Sequence, residues 1–161
     1  MDIIFSSRKV YLTFLHFSQM DCKECPEGYY CDSTLQNSSV CSHGVQNPVP
    51  CQPGYYCPNG TRFSTEHPCP NGTFSASLNL KASSECQPCT GGMYCDSEGL
   101  SAPAGLCNSG YVCILGASSP TPTDGTTGDV CEMGGYCPTG SNATTLCPAG
   151  TYNMMYGKSS L

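Results

Sequence analysis

The unit Cys-x-x-Gly-x-aromatic recurs seven times along this chain, starting at Cys25, Cys51, Cys69, Cys89, Cys107, Cys131 and Cys147. Its glycine is present in every copy, as Gly28, Gly54, Gly72, Gly92, Gly110, Gly134 and Gly150. Two positions on stand Tyr30, Tyr56, Phe74, Tyr94, Val112, Tyr136 and Tyr152. The next residue is cysteine in five copies (Cys31, Cys57, Cys95, Cys113, Cys137) and Ser75 or Asn153 in the other two. A glycine at one register after a cysteine suits a backbone with φ > 0, where a Cβ would clash, and so a tight turn beside a covalent staple. The aromatic side chain is expected to cover a disulfide. Starts fall 26, 18, 20, 18, 24 and 16 residues apart. Units this small must stack on their neighbours, so the spacing predicts an elongated tandem-repeat rod over residues 22–161.

Composition shows why staples are needed. Leu, Ile, Val and Phe number only 24 of 161 residues, and eight of them lie in the first 20. Ordering a residue costs roughly 1–2 kcal/mol of backbone entropy, more than so little apolar side chain offsets. The fifteen cysteines, all between Cys22 and Cys147, answer this. Disulfides typically contribute about 2–4 kcal/mol each and belong to oxidising compartments. With 18 Gly and 13 Pro and no helical periodicity between the units, the expected fold is small and disulfide-rich, of short β-hairpins and turns with little or no helix.

A second signal points to the same extracellular or cell-surface location. Four N-glycosylation sequons begin at Asn37, Asn59, Asn71 and Asn142, and covalent glycans would supply the solubility that 11% charged residues do not. Ser118, Ser119, Thr121, Thr123, Thr126 and Thr127, interleaved with proline, have the composition of an O-glycosylated spacer or of a plain polar loop. The net charge is −6, and the six Lys and Arg do not cluster beyond Arg8-Lys9, which argues against nucleic acid as a partner. No apolar run long enough for a membrane span occurs in residues 21–161.

Cys69-Pro70-Asn71-Gly72-Thr73-Phe74, followed by Ser83-Ser84-Glu85-Cys86-Gln87-Pro88-Cys89, resembles the ephrin-receptor-like cysteine-rich repeat, akin to the growth-factor-receptor and tumour-necrosis-factor-receptor cysteine modules. Cys147-Pro148-Ala149-Gly150-Thr151-Tyr152 through Leu161 is similar to a further copy, without its closing Cys-x-x-Cys. The resemblance spans residues 22–161 and implies spacers, stalks or adhesive arrays with no enzymatic activity. It also implies a Cys69–Cys86 bridge and, by analogy, a partner for Cys147 beyond Leu161. A free thiol or an intermolecular bridge is the competing account of the odd cysteine count. The irregular spacing and the extra cysteine after the aromatic depart from the family pattern.

Residues 1–21 differ from the rest. They read as a secretory signal, with Arg8-Lys9 as the charged region and Val10 to Phe17 as the apolar one, or as a retained β-strand. A third reading is a gene-model artefact. A retained strand presenting Val10, Leu12, Phe14 and Phe17 would add to a neighbouring subunit and link rods into a filament.

Other chemistry finds little footing. Cys22-Lys23-Glu24-Cys25 and Cys86-Gln87-Pro88-Cys89 have zinc or redox spacing, but further cysteines in the repeat register fill the gap between them, and no βαβ setting surrounds either. His16, His43 and His67 sit in no nucleophile or metal motif. Neither Asp96 with Glu98 nor Asp124 with Asp129 has calcium-loop spacing. The sequence therefore points to a non-enzyme without cofactor or metal: a structural extracellular glycoprotein forming part of a coat, matrix or filament. Its partners would be itself or neighbouring repeats of a longer chain. The alternative is a fragment of a receptor or adhesion ectodomain whose repeats bind an extracellular protein ligand.

Overall fold

A computed structural model describes residues 23–32 and 47–161. Val10, Leu12, Phe14, Phe17, His16, Cys22, Asn37, Cys41 and His43 lie outside the described residues. Units one to seven are numbered here from Cys25 to Cys147.

Each unit begins with the turn that its glycine allows. In unit three Thr73 N–H donates to the Pro70 carbonyl at 3.0 Å while Gly72 adopts φ +79°, a type II turn that needs a left-handed third residue. The two residues leaving the turn are extended, and they pair antiparallel with the residues just before the next leading cysteine. Five two-stranded sheets follow among the described residues. Strand β1 (Tyr29–Tyr30) pairs with β2 (Val49–Pro50), and β3 (Thr73–Phe74) with β4 (Gln87–Pro88). Strand β5 (Met93–Tyr94) pairs with β6 (Gly105–Leu106), and β7 (Tyr111–Cys113) with β8 (Gly128–Val130). Strand β9 (Gly135–Tyr136) pairs with β10 (Thr145–Leu146). Unit two makes the equivalent closure with one bridge, Tyr55 to Pro68. Among the described residues the sole helical element is a 3-10 turn at Ser83–Glu85.

Sulfur occupies the interior. Among the described residues six disulfides are formed, five of them joining the first and seventh residues of one unit: Cys25–Cys31, Cys51–Cys57, Cys89–Cys95, Cys107–Cys113 and Cys131–Cys137. The sixth, Cys69–Cys86, reaches out of unit three. Cysteine apart, the buried apolar side chains among the described residues are Leu80, Val112, Ala117 and Pro122. A core this thin leaves cross-links to do what apolar burial does elsewhere.

The sixth-position side chain covers a disulfide, but the bridge it covers belongs to the following unit. Tyr56 packs on Cys69, Leu80 and Cys86, and Tyr94 on Cys107, Cys113 and Ala117. Val112 joins Cys131 and Cys137. Each of these units thus lends a side chain to the next unit's core.

Candidate assembly interface and modification sites

The junction between consecutive units is built almost wholly from main chain. Between units four and five, Gly92 N–H donates to the Cys113 carbonyl at 2.8 Å, and the Gly92 carbonyl accepts Cys107 N–H at 2.9 Å. The motif glycine thereby holds both ends of the next unit's staple. The Cys89 carbonyl accepts Gly116 N–H, and Cys95 N–H donates to the Ala117 carbonyl, each at 2.8 Å. The same four bonds recur at all six junctions, from Gly28 with Cys51 and Cys57 to Gly134 with Cys147 and Asn153, at 2.7 to 3.1 Å. Backbone groups that a short-stranded fold would leave buried and unpaired are satisfied by the neighbouring unit.

One part of this device escaped the sequence reading. The residues playing the part of Gly116 are Gly60, Asn79, Gly99, Gly140 and Gly157, all with positive φ. They stand nine or ten positions after their unit's leading cysteine, a weaker register than the motif glycine because its length varies and Asn79 is not glycine. Asparagine tolerates this conformation best among side-chain-bearing residues. Asn79 also donates from Nδ2 to the Gly28 carbonyl at 2.9 Å.

The motif glycines serve a third neighbour too. A Cβ on Gly110 would lie 2.6 Å from the Gly157 carbonyl oxygen, two units further on, and one on Gly72 would lie 2.5 Å from that of Gly116. Apolar side chains just ahead of the leading cysteines reach across as well, Leu106 toward Gly140 and Val130 toward Gly157.

Three sequon asparagines, Asn59, Asn71 and Asn142, are exposed in the described structure. Asn59 Nδ2 donates to the Glu24 carboxylate. Of the serine and threonine candidates, Ser118, Thr123 and Thr126 are exposed, whereas Ser119 and Thr121 are half-buried and their hydroxyls meet at 3.4 Å. Thr126 and Thr127 donate hydroxyl and backbone protons to the Asp124 carboxylate. Those bonds, led by the Thr127 hydroxyl, hold the Asp124 carboxyl well below the usual carboxylate range. The segment is a hydrogen-bonded loop joining β7 to β8, with Pro122 buried.

Cys86 and Cys89 belong to two different disulfides, so this Cys-x-x-Cys offers neither a dithiol nor a ligand pair. His67 stacks on Tyr56, ring centroids 5.4 Å apart. Among the described residues no cluster of three or more His, Cys, Asp or Glu could hold a metal, and no helix is long and apolar enough to cross a membrane. Cys147 is a free, half-buried thiol lining a cavity of about 410 Å³ with Tyr152, Asn153 and Lys158.

Comparison with known proteins adds a little. No family model matches the chain. It is similar to an ABC-type transporter, claG, of Penicillium crustosum, with 33% identity over 72 residues, covering 31% of this chain and 9% of the transporter. The chain thus spans under a tenth of that relative's length.

Proposed function

We propose that this chain is a structural extracellular glycoprotein: a stiff rod of ephrin-receptor-like cysteine-rich units that serves in a surface coat, matrix or filament. The observation that carries this reading is the junction of four backbone hydrogen bonds, repeated at six successive positions around a core of disulfides. Such an array transmits shape from unit to unit and gains length without needing a larger core. The disulfides favour an oxidising location, and the exposed Asn59, Asn71 and Asn142 favour N-glycosylation there. In this role the chain is no enzyme and binds no cofactor. Small-angle scattering of the secreted, oxidised protein tests the shape: a stiff elongated particle is expected, and a compact sphere overturns the rod.

A second reading is favoured by the transporter similarity. Here the array is an extracellular segment of a longer membrane protein, held away from the bilayer by the same stiffness. Alkaline carbonate extraction of native membranes separates the two. A free coat protein is released, while a segment of a transporter stays with the membrane fraction at a much larger mass.

A further inference from the structure

We infer that Asn59 and Asn71 accept N-linked glycans only before their units close, because folding takes the sequon itself into the junction between units. The inference rests on the glycoprotein reading above and adds which state of the chain receives the sugar.

Both asparagines occupy the second position of a Pro-Asn-Gly-Thr turn, Pro58 to Thr61 and Pro70 to Thr73. Gly60 at φ +81° and Gly72 at φ +79° stand third, and the threonine N–H donates to the proline carbonyl at 3.3 and 3.0 Å. The threonine hydroxyl is the group that completes a sequon. Here it turns back to donate to the same proline carbonyl, at 2.7 Å from Thr61 and 2.6 Å from Thr73. Thr61 is 3% exposed. The middle residue of each sequon is a junction glycine: Gly60 N–H donates to the Cys25 carbonyl and Gly72 N–H to the Cys95 carbonyl, each at 2.8 Å. The Thr61 carbonyl accepts Cys31 N–H at 3.1 Å, and the Gly72 carbonyl accepts Cys89 N–H at 2.8 Å. The asparagines are exposed, but the fold holds the two residues that follow them.

Glycan transfer joins Asn Nδ2 to the anomeric carbon of a polyprenyl-diphosphate-linked oligosaccharide. The bond from that carbon to the diphosphate oxygen breaks, the diphosphate leaves with its electron pair, and Nδ2 gives up one proton. The enzyme must take in the amide together with a free threonine hydroxyl, which requires the four-residue turn to open. In the closed chain that opening costs the junction bonds, and before closure it costs none of them.

Asn142 supplies the contrast. Its sequon follows a turn, Pro138 to Ser141, instead of forming one. Asn142 and Ala143 are exposed, and among the described residues no main-chain group of 142–144 bonds to a neighbouring unit. The Thr144 hydroxyl lies 3.7 Å from the Cys137 sulfur, a weak acceptor. Asn142 therefore stays an acceptor after folding.

The test uses the full chain made without glycans, in two states: oxidised, with its disulfides confirmed by peptide mapping, and held fully reduced. Each is incubated with a single-subunit oligosaccharyltransferase and a polyprenyl-diphosphate oligosaccharide, and glycopeptides are quantified against time. The reduced chain should take sugar at Asn59, Asn71 and Asn142. In the oxidised chain Asn142 should still react, while Asn59 and Asn71 slow at least about tenfold, since only the open fraction of a junction is available. Equal rates at Asn59 and Asn71 in the two states overturn the inference, as does an oxidised chain in which Asn142 slows as much as they do. Those outcomes leave the glycoprotein reading standing, whereas a reduced chain that takes no sugar at any of the three refutes both.

Discussion

Units three and four sit side by side, share the same four-bond junctions and are stapled differently. Unit four closes on itself through Cys89–Cys95, six residues apart. Unit three sends Cys69 to Cys86, 17 residues on, past the 3-10 turn, and places Ser75 where its own second cysteine would stand. Ser75 is nonetheless buried, at 1% exposure, and its main chain still accepts the Gly54 N–H and donates to Leu100. The junction is thus a property of the turn and its left-handed glycine. The sulfur supplies a filled interior and a tether, and either route of tethering serves.

The broadest way to break this comparison is to remove every tether. Strong reductant should unfold units three and four together, seen as collapse of NMR amide dispersion, because Leu80, Val112, Ala117 and Pro122 cannot hold the array alone. Persistence of the dispersed spectrum would show that the backbone junctions suffice without sulfur.

Next in size is the turn itself. Gly110→Val forces a side chain into a left-handed backbone and against the Gly157 carbonyl. The expected loss is about 3 kcal/mol or more in urea unfolding, with the conformational strain alone about 1–2 kcal/mol. Gly150→Val meets no neighbour within 4 Å and should show only the strain. Equal losses at the two sites would mean that contact between units contributes nothing.

Sharper still is to convert unit three into unit four. Ser75→Cys with Cys86→Ser should fold with a bridge from Cys69 to the new thiol at position 75, found by peptide mapping. Shortening the closed loop from 17 to six residues lowers the chain-entropy contribution from about 3 to about 2 kcal/mol, a loss of about 1 kcal/mol. Failure to form that bridge would tie the backbone junction to a particular sulfur route.

The smallest effect is local and pH-dependent. Asp124 is held below its ordinary value of 3.8 by bonds to Thr127 and Thr126. Its contribution to loop order is therefore complete above that value and fades as pH falls through the depressed one. Hydrogen exchange at the Thr126 and Thr127 amides should quicken only in strong acid, while Asp124→Asn should quicken it at every pH. Exchange in the parent that quickened already near the ordinary carboxylate range would contradict those bonds.

The disulfide-rich hairpin fold was legible because its limiting residues are visible one at a time. A turn with φ > 0 excludes a Cβ, so glycine at one offset from cysteine, seven times over, announces the turn wherever it occurs. The second register, from Gly60 to Gly157, stayed hidden. Its offset drifts between nine and ten, and Asn79 breaks its composition although the backbone there, at φ +64°, is also left-handed. At Tyr56 and Tyr94 the sixth-position ring does cover sulfur, but its target is the next unit's bridge, a matter of how units stack rather than of local order.

The chain's own order of residues determined the turns, the shortage of apolar core and the demand for covalent tethers, because each follows from what a single side chain permits. Tertiary structure alone decided which sulfur joins which, and which carbonyl each glycine amide meets. Those choices depend on distances across neighbouring units, and the same Cys-x-x-Gly stretch supports Cys69 reaching to Cys86 as readily as Cys89 closing on Cys95.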